Sequence, residues 1–332
     1  MPTPTKFKST KDISRKDILF CIARVPGTRQ VFVGSSDGNV HHLDLAADKP
    51  ESVAMEGHRG YVTGVALAGK QLVSGAYDGQ LIWWDAATRE KVRGFKAHDR
   101  WIRGVVATRD GSLVASVADD MVCRVWEAAS GKLKHELRGH APMTPHHFSS
   151  MLYAATFSAD GTLLATGDKV GHVVVWDVAT GKPLTTLEVP EVYTWDPKAR
   201  IHSIGGIRSL AFSPDSTLLA VGGMGQVDNI DHLAGKSHVE VLDWKKRERV
   251  AKFSSEKTKG LISHLAFHPQ GEWLLGMGGE HKGLLMCFDV ATGKVLREEA
   301  VSNHFHKFAL DETGERIFTA GHNKLMVWEA AV

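Results

Sequence analysis

The sequence predicts an all-β fold made of a repeated four-stranded unit, and three observations carry that prediction. Short apolar runs recur along the whole chain, each too short for a helix and separated by short polar turn stretches. Seven acidic residues, Asp44, Asp85, Glu127, Asp177, Asp243, Asp289 and Glu329, close similar stretches at intervals of 40 to 66 residues. The clearest single unit, residues 57–97, splits into four runs: Val62–Ala68, Gln71–Ala76, Leu81–Ala86 and Lys91–Phe95, separated by Ala-Gly-Lys, Tyr-Asp-Gly and Ala-Thr-Arg. At about 3.3 Å per residue, such runs have the ordinary length of a strand.

Within that unit, Gly57-His58, Ser74-Gly75, Asp78-Gly79 and Trp84-Asp85 together resemble one WD repeat, the blade of a β-propeller. The resemblance implies that His58, Ser74, Asp78 and Trp84 form a buried hydrogen-bonded chain that locks the blade, and that His98, Ser116, Asp120 and Trp126 repeat it in the next unit. The chemistry agrees, because a buried imidazole, carboxylate and indole N–H are costly alone and tolerable when they satisfy one another. Seven marks at a base period of about 40 to 45 residues then predict a seven-bladed β-propeller of four-stranded antiparallel blades, a single domain over residues 1–332.

Taken in order, residues 1–16 include the strand that closes the last blade: Phe7–Ile13 is expected to pair with Lys324–Glu329, removing two sheet edges. The first repeat follows as Ile18–Val25, Gln30–Ser35, Asn39–Leu45 and Ser52–Glu56, with Leu43 in place of Trp. The third carries Ala97-His98, Ser116, Asp120 and Trp126-Glu127. The fourth has Gly139-His140, Thr166 and Trp176-Asp177, but Val170 stands where the Asp belongs, so its locking network is expected to be incomplete. Repeats five and six, near 207–253 and 261–298, close on Leu242-Asp243 and Phe288-Asp289, and the seventh ends in Trp328-Glu329.

Function is sought in what departs from the repeat. Extra residues fall at about 141–150, 190–206 and 225–236, connections that the resemblance places on one rim, the top. Tyr61 and Trp101 share one slot, three residues after the repeat His; Tyr77 lies in a top turn, Arg103 nearby, and Tyr193 and Trp195 inside the second insertion. Tyr, Trp and Arg are favoured interface anchors, so these six form the candidate binding face, with Tyr193 and Trp195 expected to be exposed. For Tyr61 and Trp101, packing between blades is an equal alternative.

The expected function is a non-enzymatic scaffold for a protein or peptide, alone or as a subunit of a larger complex. A competing reading is an enzyme using a small molecule or metal at His146, His147, His202, Asp228, Asp231 and His232, over the central opening. No tight ligand spacing such as H-x-x-x-H supports a metal, the Gly-rich strand ends lack the Lys-Ser/Thr of a phosphate loop, and no nucleophile motif is present. Neither a cofactor nor a metal is therefore expected. The 40 basic and 38 acidic residues are interleaved, which gives no footprint for nucleic acid or an anionic membrane. With no signal-like apolar segment at the start and three cysteines at unpaired spacing, the expected address is cytoplasmic.

Overall fold

A computed structural model describes residues 7–198, 200–231 and 235–330. The fold is an all-β β-propeller of four-stranded antiparallel blades. Five sheets hold four strands each, running from Val62–Ala68 to Lys91–Lys96, Ile102–Ala107 to Leu133–Leu137, Leu152–Phe157 to Pro183–Glu188, Ser209–Phe212 to Glu248–Lys259, and Leu261–Phe267 to Lys294–Val301. The remaining large sheet has six strands, with Phe305–Leu310, Arg316–Ala330, Phe7–Arg24, Gln30–Ser35, Val40–Asp44 and Ser52–Met55 as successive neighbours.

The expected seven blades are thereby corrected to six among the described residues. The cause is backbone continuity: Phe7–Arg24 is one 18-residue strand that pairs first with the end of the chain and then with Gln30–Ser35. Phe7 lies opposite Ala330 and Ser14 opposite Lys324; after a register shift Ile18 still faces His322, and from Leu19, opposite Ser35, the strand passes to its second partner. Strands read from the sequence as separate first and last repeats thus share a sheet.

Two compact units divide the chain, residues 1–137 with 306–332, and residues 138–305. In each, the core lies between the faces of consecutive sheets, as the period of two in a strand requires. Trp83 and Trp84 show the rule within the first unit. Adjacent in one strand, they point to opposite faces: Trp83 packs with Ile102, Val114 and Trp126, while Trp84 packs with Cys21, Phe32 and Val65. Both are buried, and Trp83 donates its indole N–H to the Ala128 carbonyl at 3.0 Å. In the second unit Val175, Ile207, Leu219 and Trp244 form one such layer, and Val241, Phe253, Ile262 and Phe288 another. Each fully buried side chain of this size contributes about 1.5–3 kcal/mol.

The first turns of three sheets are closed by one device. Asp110, Asp160 and Asp215 each accept hydrogen bonds from a hydroxyl two residues before and from the backbone N–H two residues after. Those bonds hold all three carboxyls below their ordinary range. The second insertion is not a loop but a hairpin, Tyr193–Asp196 against His202–Gly205. Cys21, Cys123 and Cys287 are buried in three different sheets, and burial pushes the Cys21 and Cys287 thiols up to about 12, leaving them packing groups rather than nucleophiles. Among the described residues no helix is long and apolar enough to cross a membrane.

Candidate interaction face

The site begins with the buried polar chains that hold its turns. His58 Nδ1 faces Asp78 Oδ2 at 3.2 Å and its Nε2 lies 2.8 Å from Ser74 Oγ, which also accepts the Trp84 indole N–H at 2.8 Å. One proton arrangement satisfies every member: indole to hydroxyl, hydroxyl to Nε2, and Nδ1–H to carboxylate. Asp78 also accepts the backbone N–H groups of Arg59 and Gln80, at 2.8 and 2.9 Å. The carboxylate therefore ties the segment entering the sheet to the turn between its second and third strands, and so sets Tyr61 beside Tyr77. Gly79 completes that turn at φ +76°, where an added Cβ would run into the His98 carbonyl oxygen.

The next sheet repeats the chain with His98, Ser116, Asp120 and Trp126, at 3.0, 2.7 and 3.0 Å. Arg124 adds a guanidinium 3.0 Å from Asp120. Burial opposes the Asp120 charge, but the hydrogen bond and charge of His98 and the contact from Arg124 outweigh it and hold the carboxyl at about 2. Since the folded value lies below the unfolded one, near 3.8, its stabilisation is complete above about pH 4 and disappears as the pH falls towards 2. We expect Asp120→Asn to lower the urea midpoint at pH 6 by the equivalent of about 1–2 kcal/mol after allowance for solvent screening, and the gap from the parent to be mostly closed by pH 2. A gap that stays constant from pH 6 to pH 2 would show that this charge is not what the network stabilises.

In the fourth repeat the sequence pattern misleads. With Val170 at the turn an incomplete network is expected, yet His140 Nδ1 meets Asp168 Oδ2 at 2.9 Å, its Nε2 meets Thr166 Oγ1 at 2.8 Å, and Trp176 donates to Thr166 at 2.9 Å. Asp168, from the strand end two residues earlier, supplies the missing carboxylate and also accepts the N–H groups of Val170 and His172.

On this frame stands a ladder of rings within the first unit. Phe20 packs on Tyr61 with ring centres 5.4 Å apart, Tyr61 on Tyr77 at 5.5 Å, and Tyr77 on Trp101 at 4.4 Å with planes within 4° of parallel. From Phe20 it continues to His306 at 5.2 Å and on to His322. Arg103 braces the other end, donating to the Tyr77 hydroxyl at 2.8 Å and forking onto Asp119 at 2.8 and 2.7 Å while lying over both the Tyr77 and Trp101 rings. Tyr61 and Trp101 remain 47% and 50% exposed, so their rings are packed and presented at once. Phe20, His306, His322 and Asp119 are the members that sequence reasoning missed. Phe20 and His306 follow Leu19 and Phe305 much as Arg103 follows Ile102, a shared register that strand alignment would have exposed.

Tyr193 and Trp195 lie in the second unit and are not the exposed anchors expected. Both are half-buried: His146 of the first insertion stacks on Trp195 at 4.2 Å and its Nδ1 lies 3.0 Å from the Tyr193 hydroxyl, while Phe148 packs against Trp195 and His202. Here the rings staple two insertions together. Of the other residues considered for a metal, Asp231 pairs with Arg200, His147 sits in a turn at φ +63°, and His232 lies outside the described residues. Among the described residues, the grouping with metal-ligand proximity is instead Asp17, Asp37 and His41, which borders a cavity of about 540 Å³ lined by residues 14–17, Ser36 and Asp37. That cluster is closed on itself, since Arg15 forks onto Asp17, Ser35 donates to Asp17, and His41 meets Asp37 at 2.8 Å and Ser52 at 3.0 Å.

Over residues 37–299 the chain matches the family model described as outer membrane protein assembly factor BamB. It is similar to apoptotic protease-activating factor 1 of Homo sapiens, 28% identical over 190 residues, which covers 57% of this chain and 14% of that protein. Nuclear distribution protein PAC1-2 of Uncinocarpus reesii (strain UAMH 1704) is 31% identical over 170 residues, 47% of this chain and 36% of that protein. Telomerase protein component 1 of Mus musculus is 22% identical over 284 residues, 86% of this chain and 10% of that protein. The chain thus spans between 10% and 36% of the length of these relatives.

Proposed function

Since the chain belongs to the WD-repeat family of β-propellers, and to the repeat family whose model matches residues 37–299, we propose that it is a non-enzymatic scaffold that binds a protein or peptide through the ring ladder. The observation that carries this reading is the stack of Tyr61, Tyr77 and Trp101, braced by Arg103 and Asp119 and half-open to solvent. Exposed aromatic area costs free energy that a core would recover, and its rigid mounting lowers the conformational entropy a partner must remove on binding. The mechanism is complementarity on a preorganised surface, with Trp101 and Tyr61 as the anchors.

The test is capture from lysate by the intact protein, by Tyr61→Ala/Trp101→Ala and by Trp195→Ala, each confirmed folded by its melting temperature. A polypeptide held by the intact protein and by the Trp195 variant but lost with the double variant is expected. Loss of two central anchors is worth at least about 2 kcal/mol, roughly thirty-fold in affinity. Capture that ignores the ladder variant would move the binding site elsewhere, and turnover of a small molecule by the purified chain would replace the scaffold reading with a catalytic one.

A further inference from the structure

We infer that the occupant of the ladder is an acidic peptide segment, its carboxylates seated along the ring edges between Arg59 and Arg100; this rests on the ladder being the protein-binding face. Stacked rings spend their faces on one another. Tyr77 and Trp101, nearly parallel at 4.4 Å, have their facing surfaces closed, and the packing continues through Tyr61 to Phe20, so between these rings the ladder offers edges, with Tyr61 and Trp101 half-exposed. The edge of an aromatic ring is the positive end of its quadrupole and attracts oxygen anions.

The charges around the ladder point the same way. The acidic groups of the turns are already committed: Asp78 to His58, Asp120 to His98 and Arg124, Asp119 to Arg103. Arg59 and Arg100, by contrast, are exposed and make no side-chain ion pair or hydrogen bond among the described residues; of the acids beside them in sequence, Glu56 and Asp99 are exposed and likewise make no side-chain ion pair there. Each arginine stands within two residues of an exposed ring, Arg59 of Tyr61 and Arg100 of Trp101, and the Tyr61 hydroxyl likewise makes no hydrogen bond among the described residues. A carboxylate arriving here meets ring edges, a phenol donor and two unspent guanidinium groups. Single-stranded nucleic acid fits less well, because the space between Tyr77 and Trp101 is closed to a base and the 40 basic residues of the chain are interleaved with 38 acidic ones.

Selection from a random decapeptide library tests the inference, using the intact protein, Arg59→Ala/Arg100→Ala, and Tyr61→Ala/Trp101→Ala, all verified as folded. The pool retained by the intact protein is expected to be enriched several-fold in Asp and Glu over the input. A labelled member of that pool should bind the arginine variant about ten-fold more weakly, the scale of two partly exposed charge pairs, and the ring variant not at all. A pool without acidic bias that still requires Tyr61 and Trp101 overturns this inference and leaves the scaffold reading standing. No pool, or one indifferent to both variants, overturns both. Displacement of the labelled peptide by oligo-dT at lower concentration than by unlabelled peptide would assign the ladder to nucleic acid and overturn the inference.

Discussion

Removal of residues 1–14 is expected to cost most of the folding stability of the first unit. The deletion takes away the partner of Lys324–Ala330, the buried Phe7 side chain, the Lys11 hydrogen bond to the Leu45 carbonyl and the Asp12–Lys324 ion pair. A buried Phe contributes about 1.5–3 kcal/mol and each ladder hydrogen bond about 0.5–1.5 net, so the loss is about 5 kcal/mol or more. Against a total stability of about 5–15 kcal/mol, that is a fall of tens of degrees or a non-cooperative melt. Differential scanning calorimetry of the truncated chain decides it. An unchanged melting temperature would mean that the pairing, though formed, contributes nothing.

Replacement of Asp168 by Ala ranks second. Its carboxylate is almost wholly buried and serves His140 and two backbone N–H groups, so truncation leaves the Nδ1 side of a buried imidazole and two backbone donors without partners. Breaking a buried pair of this kind costs about 3–5 kcal/mol. Val170→Ala, at the position where the repeat pattern would put the carboxylate, is expected to cost less than about 1.5 kcal/mol, the scale of trimming a half-buried methyl pair. Equal urea midpoints for the two variants would sink the assignment of the lock to Asp168.

These two cases also mark how far the sequence could be read. The strands were legible because alternation and Gly or Asp turns are local signals, and the chains around His58 and His98 because the four residue types recur at fixed spacing. The sheet count was not, since it hangs on whether the chain breaks between Ser14 and Ile18. That stretch has neither Gly nor Pro, and it continues as strand. Asp168 escaped because a pattern records position, whereas the lock needs only a carboxylate oxygen within reach of His140, which a strand end provides as well as a turn. The exposure expected of Tyr193 and Trp195 fails because His146 closes over them, 47 residues from Tyr193 in sequence, a contact that no local pattern encodes. Tyr61, Tyr77, Trp101 and Arg103 were individually visible, but their assembly into one stack with Phe20 required the sheet register.

The long strand at the start of the chain bears on how the protein is made. Its first half waits for a partner that lies far downstream, with Thr10 and Val327 in contact across 317 residues. At about 5–20 residues per second, a ribosome takes roughly a quarter of a minute to a minute to deliver that partner. Throughout that interval Phe7–Ser14 is an exposed, unpaired edge on a nascent chain. The charged and hydroxylated face of KSTKDIS, with Lys8, Ser9 and Thr10 still exposed in the finished fold, suits a segment that must stay soluble and unattached until translation reaches its mate.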